Sequence, residues 1–210
     1  MFTGIIRTRG TVERIDGDSD RQIAIRAESS LALDVGDSVA VNGVCLTQVV
    51  EGGELIVADV SKETLSMTTL GSFVPGQRVN LEPAARLGDP LGGHLVSGHV
   101  DGVGEVIDVK QDARSRRIAL RVPDNLVRYF AVRGSVAIDG VSLTLVASAP
   151  ARIEVNIIPA TWEHTTIGEY VPGWRVNLEV DLVARYLEQL HVADSYGYNP
   201  EGAARRLREV

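Results

Sequence analysis

The chain repeats itself. Ala40-Val41-Asn42-Gly43-Val44-Cys45-Leu46-Thr47 recurs as Ala137-Ile138-Asp139-Gly140-Val141-Ser142-Leu143-Thr144, and Val74-Pro75-Gly76-Gln77-Arg78-Val79-Asn80-Leu81-Glu82 recurs as Val171-Pro172-Gly173-Trp174-Arg175-Val176-Asn177-Leu178-Glu179, both 97 positions on. Thr64, Thr68, Thr69 and Gly71 fall on Thr161, Thr165, Thr166 and Gly168 at the same spacing. Near the start, Gly4 and Gly10 fall on Gly98 and Gly104, a spacing of 94, so the second copy gains three residues in between. The sequence places them in the turn Gln111-Asp112-Ala113-Arg114-Ser115. Ordered blocks in one register mean duplication, and the period is longer than the ~20–50 residues of a solenoid unit. Each copy is therefore expected to be a complete small domain. A single sandwich with internal symmetry would share the same local folds.

Each copy reads as β. Thr11–Ile15, Gln22–Arg26, Ser38–Val41, Leu46–Val50, Glu54–Ala58 and Gly76–Glu82 are short runs rich in Val and Ile, with Gly or Asp at the joins. Six short antiparallel strands must protect their edges, and a small barrel does so. Short helical turns are expected at Pro83–Leu87 and Asp124–Phe130. From Asp181, Leu182, Val183, Tyr186, Leu187 and Leu190 recur at helical spacing, with Arg185, Glu188 and Gln189 on the other side. This amphipathic helix either plugs its own barrel or packs against copies of itself. The stretch Tyr196-Gly197-Tyr198-Asn199-Pro200-Glu201-Gly202 reads as a flexible tail. The expected architecture is all-β: two homologous six-stranded antiparallel barrels in tandem, at residues 1–94 and 95–181, with an oligomerisation helix and tail at 182–210.

Composition narrows the function. A net charge of −7 and a pI near 5.1 give no global attraction to nucleic acid or an anionic membrane. Arg205, Arg206 and Arg208 are too few and too terminal for a nucleic-acid site. No apolar run nears the ~20 residues of a membrane span and no secretory signal opens the chain, so a cytoplasmic location is expected. A lone cysteine, Cys45, excludes an internal disulfide.

The densest polar segment, Gly92-Gly93-His94-Leu95-Val96-Ser97-Gly98-His99-Val100-Asp101-Gly102, spans the junction of the copies. Its glycines would let a flat heterocycle approach the backbone, or would simply form a hinge. His94 and His99, five apart, would face opposite sides of a strand, and no clustered cysteine supports zinc. Cys45 lies in an apolar run, where a cysteine is ordinarily a core residue. Its counterpart is Ser142, which suggests that this position faces a polar ligand, and Thr47 and Thr144 add a matched hydroxyl pair. Lys62-Glu63-Thr64 and Ala160-Thr161 follow strands, where an exposed loop is expected. No nucleophile elbow is present.

These residues, with the opening Met1-Phe2-Thr3-Gly4-Ile5 and the block Lys62-Glu63-Thr64-Leu65, resemble the riboflavin synthase family of alpha-chain type over nearly the whole chain. The resemblance implies two six-stranded barrels, each binding one 6,7-dimethyl-8-ribityllumazine, and a helix joining three chains. It implies a transferase that dismutates two lumazines by four-carbon transfer, giving riboflavin and a ribitylamino-pyrimidinedione, with no metal or other cofactor. Two copies of one molecule must meet in opposite orientation, and homologous pockets about a pseudo-twofold would hold them so. Such positioning can lower a bimolecular barrier by roughly 7–11 kcal/mol. The C7 methyl is acidic, because its anion is delocalised, so modest base help suffices.

By resemblance, the first pocket would use Gly4, Ile5 and Ile6, then Cys45, Leu46 and Thr47, then Asp59, Val60, Ser61, Lys62, Glu63 and Thr64. The second would use Gly98, His99 and Val100, then Ser142, Leu143 and Thr144, then Asn156, Ile157, Ile158, Pro159, Ala160 and Thr161. The active site would lie between the first barrel of one chain and the second of its neighbour. Cys45, Ser38 and Ser142 are the expected polar groups near the reacting carbons. His99 with Thr144 are expected to handle protons; His94 and, more weakly, Asp181 are further candidates. Arg133 stands where relatives often carry lysine, a contact across the subunit boundary, and Ala160 and Trp162 also replace more usual residues. Which barrel holds the donor, and whether a lumazine synthase associates, stay open. The rival readings are a non-catalytic lumazine- or flavin-binding protein of the same family and a ligand-free structural module.

Overall fold

The computed structural model describes residues 1–51 and 53–195. The first copy contributes β1 (Thr8–Asp16), β2 (Arg21–Ala27), β3 (Ser38–Val41), β4 (Val44–Thr47), β5 (Leu55–Val60) and β6 (Arg78–Pro83). The second contributes β7 (Gly102–Asp112), β8 (Ser115–Arg121), β9 (Ser135–Ile138), β10 (Val141–Ala149), β11 (Arg152–Ile157) and β12 (Arg175–Val180). Short helices α1 (Lys62–Met67) and α2 (Pro159–His164) precede β6 and β12, and α3 (Leu182–Ser195) follows the second barrel. No helix among the described residues is long and apolar enough to cross a membrane.

All described strand pairs are antiparallel, and the second copy closes into a barrel in the order β10-β11-β8-β7-β12-β9. The first copy has the equivalent order, β4-β3-β6-β1-β2-β5, but β4 stops at Thr47 and makes no strand ladder with β5. Buried Gln48 bridges the gap instead: its Nε2 donates to Leu55 O (3.1 Å) and its Oε1 accepts from Val57 N (2.9 Å). The residue 97 positions on is Leu145, which pairs with Val155 by ordinary ladder. A side-chain amide thus imitates a peptide group and satisfies strand edges that would otherwise be orphaned.

Alternation along each strand sends Val, Ile and Leu inward, where Val39, Val41, Val79 and Leu81 fill one lumen and Val136, Ile138, Val176 and Leu178 the other. The hairpins β3–β4 and β9–β10 turn on Asn42-Gly43 and Asp139-Gly140, all with positive φ (44° and 77°, 44° and 79°). That pair of conformations suits the right-handed twist of a two-residue hairpin and favours Asn-Gly or Asp-Gly.

Strand register corrects the expected site of the three extra residues. Val12 lies opposite Ile25 and Val106 opposite Leu120, so β8 trails β2 by 95 positions while β7 trails β1 by 94. One residue enters at the β7–β8 hairpin. The other two enter between β8 and β9, in the segment holding the 3-10 helix Asp124–Tyr129. No helix forms at Pro83–Leu87, where Pro83 ends β6 and the chain runs on as linker. The segments read as loops at Lys62-Glu63-Thr64 and Ala160-Thr161 are instead helical, in α1 and α2; Ser61 caps α1 by accepting from Thr64 N (3.2 Å).

The barrels meet through two reciprocal carboxamides. Asn177 Oδ1 accepts from Thr69 N (2.8 Å) and its Nδ2 donates to Asn42 O (2.8 Å). Asn80 Oδ1 accepts from Thr166 N (2.8 Å) and its Nδ2 donates to Asp139 O (3.0 Å). Both side chains are buried. Between them the two hairpin turns touch, so that a Cβ on Gly43 would sit 2.6 Å from Gly140 N and one on Gly140 2.8 Å from Gly43 N. Along one side only, Arg78 crosses to Glu169 (2.8 Å) while also pairing with Glu28 (2.8 Å).

The α3 stripe does not plug a barrel. Val183, Tyr186, Leu187 and Leu190 are 60–63% exposed. The opposite face is tied to the second barrel by Arg185 to Asp101 and by Glu188 to Tyr129 and Arg128. The segment Tyr196 to Gly202 and Arg205, Arg206 and Arg208 lie outside the described residues.

Two expectations follow from the joint. Asn177→Leu leaves Thr69 N–H and Asn42 C=O buried without partners, and at about 1–3 kcal/mol each it should lower the urea midpoint by the equivalent of roughly 2–6 kcal/mol at unchanged slope. Asp139 is fully buried, which pushes its carboxyl up to about 7 despite hydrogen bonds from Tyr170 Oη (2.6 Å) and Asn177 N (2.8 Å). Between its unfolded value near 4 and about 7 the folded state binds a proton that the unfolded state has lost. Stability from this group is therefore full below about pH 4 and falls through pH 7, by up to an order of 4 kcal/mol. Asp139→Asn, the residue found at the matching position 42, should abolish that decline when urea midpoints are compared at pH 4 and pH 8; an unchanged decline would assign it to other groups.

Candidate active site

The alternation that fills the barrels with Val44 and Leu46, and with Val141 and Leu143, turns Cys45, Thr47, Ser142 and Thr144 to the outer flank. Ser38 pairs with Thr47 across β3–β4, placing a second hydroxyl-bearing residue beside the first flank. The candidate chemistry therefore lies outside two packed lumens. What covers each flank is a short strap that precedes the first strand of a barrel.

Both straps are held by a carboxylate at the end of a strand. Glu82 accepts from Thr3 N and Thr3 Oγ1 (both 2.7 Å) and from Gly4 N (3.0 Å). Glu179 accepts from Ser97 N (2.6 Å), Ser97 Oγ (2.7 Å) and Gly98 N (3.0 Å). Burial raises the pKa of both carboxyls, and these hydrogen bonds offset part of that rise. The straps pair with each other, Phe2 N donating to Val96 O (2.7 Å) and Val96 N to Phe2 O (3.0 Å), and then part.

Each strap covers the other barrel's flank. Ser142 N donates to Gly4 O (2.8 Å) and Cys45 N to Gly98 O (2.9 Å). Ile6 packs on the second core and Val100 on the first. Only glycine fits at the crossing points: Gly4 (φ 73°) and Gly98 (φ 81°) lie so close that a Cβ would approach Ser142 Cβ to 2.5 Å and Cys45 Cβ to 2.6 Å. This corrects the expected grouping. Gly4, Ile5 and Ile6 belong with Ser142, and Gly98, His99 and Val100 belong with Cys45, because sequence order does not reveal that the straps cross.

His94 and His99 lie in the linker and strap rather than in a strand. His94 Nδ1 is 2.7 Å from Ser142 Oγ, and its Nε2 is buried with no hydrogen-bond partner among the described residues. Burial lowers the imidazole pKa, against an upward pull from Asp181. His99 N donates to Ser97 Oγ (3.2 Å). Beyond the flanks, Asp59 accepts from Gln22 Nε2 (2.9 Å), Lys62 N donates to Asp20 (2.7 Å), and Ser61 Oγ meets Thr64 Oγ1 (3.1 Å). The matching stretch, Asn156 to Thr161, has exposed Ile158 at the cap position and Pro159 opening α2. Trp162 stacks under Arg116, 5.3 Å from the ring centroid. Arg133 is exposed at φ 70°, where the first copy has Gly36 at φ 94°.

Two shallow clefts open beside the linker. One of about 220 Å³ is lined by Thr3, Ile5, Glu82, Pro83, Ala84 and Gly92 among others, and one of about 250 Å³ by Leu31, Leu33, Ser38, Ala85 and Asp89 among others. Both are small for a ribityl-pteridine; Ile5, which lines the first, is exposed, as are Thr47, His99 and Thr144. The residues not singled out in the sequence are those that build the site rather than line it: Thr3, Ser97, Glu82 and Glu179. Their signal is present in the repeat, since the two glutamates end matched blocks and the two hydroxyl residues precede matched glycines.

Comparison with known proteins agrees with this architecture. The lumazine binding domain family model matches residues 3–84 and 97–181. Riboflavin synthase of Photobacterium phosphoreum is 43% identical over 197 residues, covering 92% of this chain and 90% of that protein. Riboflavin synthase of Mycobacterium tuberculosis (strain ATCC 25618 / H37Rv) is 45% identical over 197 residues, covering 90% and 98%. Among solved structures, LumP complexed with 6,7-dimethyl-8-(1'-D-ribityl) lumazine aligns with a TM-score of 0.77 at 23% identity, over 86% of this chain and 99% of that one, a likeness of fold. A family model over both copies and 43–45% identity along nine-tenths of the sequence place this chain in the riboflavin synthase family, built on tandem lumazine-binding domains.

Proposed function

We propose that the chain is a riboflavin synthase, which dismutates two molecules of 6,7-dimethyl-8-ribityllumazine by four-carbon transfer to riboflavin and 5-amino-6-(D-ribitylamino)uracil. The observation that carries this reading is the pair of matched flanks, Cys45 under Gly98 and Ser142 under Gly4, related by the internal twofold. A reaction between two identical heterocycles needs two equivalent cradles in opposed orientation. Backbone groups of the straps beyond those committed to Glu82, Glu179 and the crossing contacts would meet the edge of such a ring.

The open character of both flanks supports a site finished by a second chain. Thr47, Thr144, Ile5 and His99 are exposed, and the clefts are too shallow to enclose a ligand, whereas ligand pockets bury most of their occupant. The exposed α3 stripe supplies the means of association, and a homotrimer suits a helix whose other face is fixed to its own barrel. Arg133 fits a contact across that boundary: its side chain is exposed, and the backbone holds a left-handed conformation that costs a non-glycine residue about 1 kcal/mol. Ser38, beside the second cleft, and Asp181, at the base of α3, fit the rim of the same site.

The direct test is to mix purified protein with 6,7-dimethyl-8-ribityllumazine and follow absorbance. Riboflavin should appear with one pyrimidinedione per riboflavin. Stable binding without turnover would assign the chain to the carriers, and unquenched lumazine fluorescence would leave a structural module. Removal of residues 182–210 should convert the assembly to monomers on sedimentation and lower turnover at least tenfold. Unchanged sedimentation with full turnover would refute the role given to α3.

A further inference from the structure

The two straps carry matched latches but unequal anchors. Glu82 and Glu179 hold the glycine end of each. At the other end the backbone is matched again, Arg7 N donating to Leu81 O (3.0 Å) and Asp101 N to Leu178 O (2.8 Å). The side chains there differ. Asp101 Oδ2 accepts from Val180 N (2.8 Å) and its Oδ1 from Arg185, and its side chain is 11% exposed. The first copy has Arg7 at that place, exposed and without a side-chain hydrogen bond or ion pair among the described residues, and Pro83, which has no N–H, in place of Val180.

Arg185 belongs to α3. Asp181 opens that helix by accepting from Val183 N (2.9 Å), Arg185 follows about one turn later, and Glu188 reaches on to Tyr129 and Arg128. Between Gly98 and Asp101 the second strap consists of His99 and Val100 alone; Val100 packs on the first core, and Gly98 O receives Cys45 N (2.9 Å). So short a span has little slack, so where Asp101 is held the Gly98 carbonyl over Cys45 is held too. The Asp101 charge also adds to the rise that burial causes in the Glu179 pKa, and Arg185, paired with Asp101, opposes that like-charge contact beside the latch of the same strap.

We propose that Asp101 and Arg185 are positioning residues for the reaction: together they tie the strap over Cys45, and not the strap over Ser142, to the helix whose apolar stripe faces away from its own barrel. This rests on the riboflavin synthase reading. The Cys45 cradle is thereby set by the seat of α3, whereas the Ser142 cradle depends on Glu82 and the linker. Neither residue touches the reacting atoms; each acts through the backbone of Gly98 and Val100, whose placement fixes how a heterocycle lies against the flank.

Each cradle contains an amide that reports its own strap, Cys45 N–H on Gly98 O and Ser142 N–H on Gly4 O. Residue-resolved hydrogen exchange on the whole chain therefore reads the two straps side by side. Asp101→Asn, which keeps an acceptor for Val180 N but loses the charge, and Arg185→Gln should each speed exchange at Cys45 about fivefold, the scale of a lost half-exposed ion pair, and leave Ser142 within about twofold. The double variant should exchange no faster at Cys45 than the faster single one, because both remove the same link. Arg185→Lys, which keeps the charge, should recover most of the protection. Turnover of 6,7-dimethyl-8-ribityllumazine should follow the same order, with kcat about fivefold lower in the Asn and Gln variants and KM within about twofold, since alignment rather than contact is lost. Sedimentation should match the unaltered protein. Unchanged exchange at Cys45 in either variant, equal acceleration at both amides, additive effects in the double variant, no recovery in Arg185→Lys, unchanged kcat, or acceleration that appears only with dissociation would each overturn the inference. The exchange arm does not depend on turnover: an unaltered protein that formed no riboflavin would remove the proposed reaction, while the anchor would still be decided at Cys45.

Discussion

Two buried carboxamides hold the molecule in its working shape. Asn80 and Asn177 each satisfy a helical-turn N–H and a hairpin carbonyl of the opposite barrel, and their own backbone amides are in turn received by Asn42 and Asp139. Neutral amides suit this place because they offer a donor and an acceptor without the desolvation cost of a buried charge. The closeness of Gly43 and Gly140 is possible only once these groups are paired, and it brings the two flanks to fixed positions about the internal axis. Strap crossing then follows, since Gly4 and Gly98 reach Ser142 and Cys45 only if the barrels are held at this separation.

On that symmetric frame the copies differ in a few coordinated places. Gln48 with an open seam answers Leu145 with a closed one. Asn42 with Phe73 answers Asp139 with Tyr170, where a carboxylate has gained the hydroxyl that receives it. Cys45 answers Ser142, whose Oγ lies 2.7 Å from His94 Nδ1. The first pair affects edge protection, the second places a buried titratable group in the joint, and the third gives one flank a histidine contact. Duplication supplies matched geometry, and these exchanges supply difference where two identical substrates must play unlike parts.

Much of this was legible in the chain. The repeat blocks predict two similar barrels, and the period of two along Val44–Thr47 and Val141–Thr144 already separates lumen residues from flank residues. The helix after Asp181 was legible from its spacing, although its outward orientation depends on where Arg185 and Glu188 find partners. Other features left no periodic trace. The helices α1 and α2 are six residues long, less than two turns, and arise from capping and packing rather than from an amphipathic run. Pro83–Leu87 carries helix formers, yet it must travel as linker to the second strap. The crossing itself is a long-range fact, written in the identity of Gly4, Gly98, Glu82 and Glu179 but not in their order.

The crossing has a consequence for a half taken alone. A single half, cut at the linker, would own one arm and one flank that do not belong together, because each arm is shaped for the far partner. Two such halves could restore both junctions only by trading arms as an intertwined pair. The tandem chain thus has the geometry of an arm-exchanged dimer made covalent, free of the concentration at which separate halves would have to find each other.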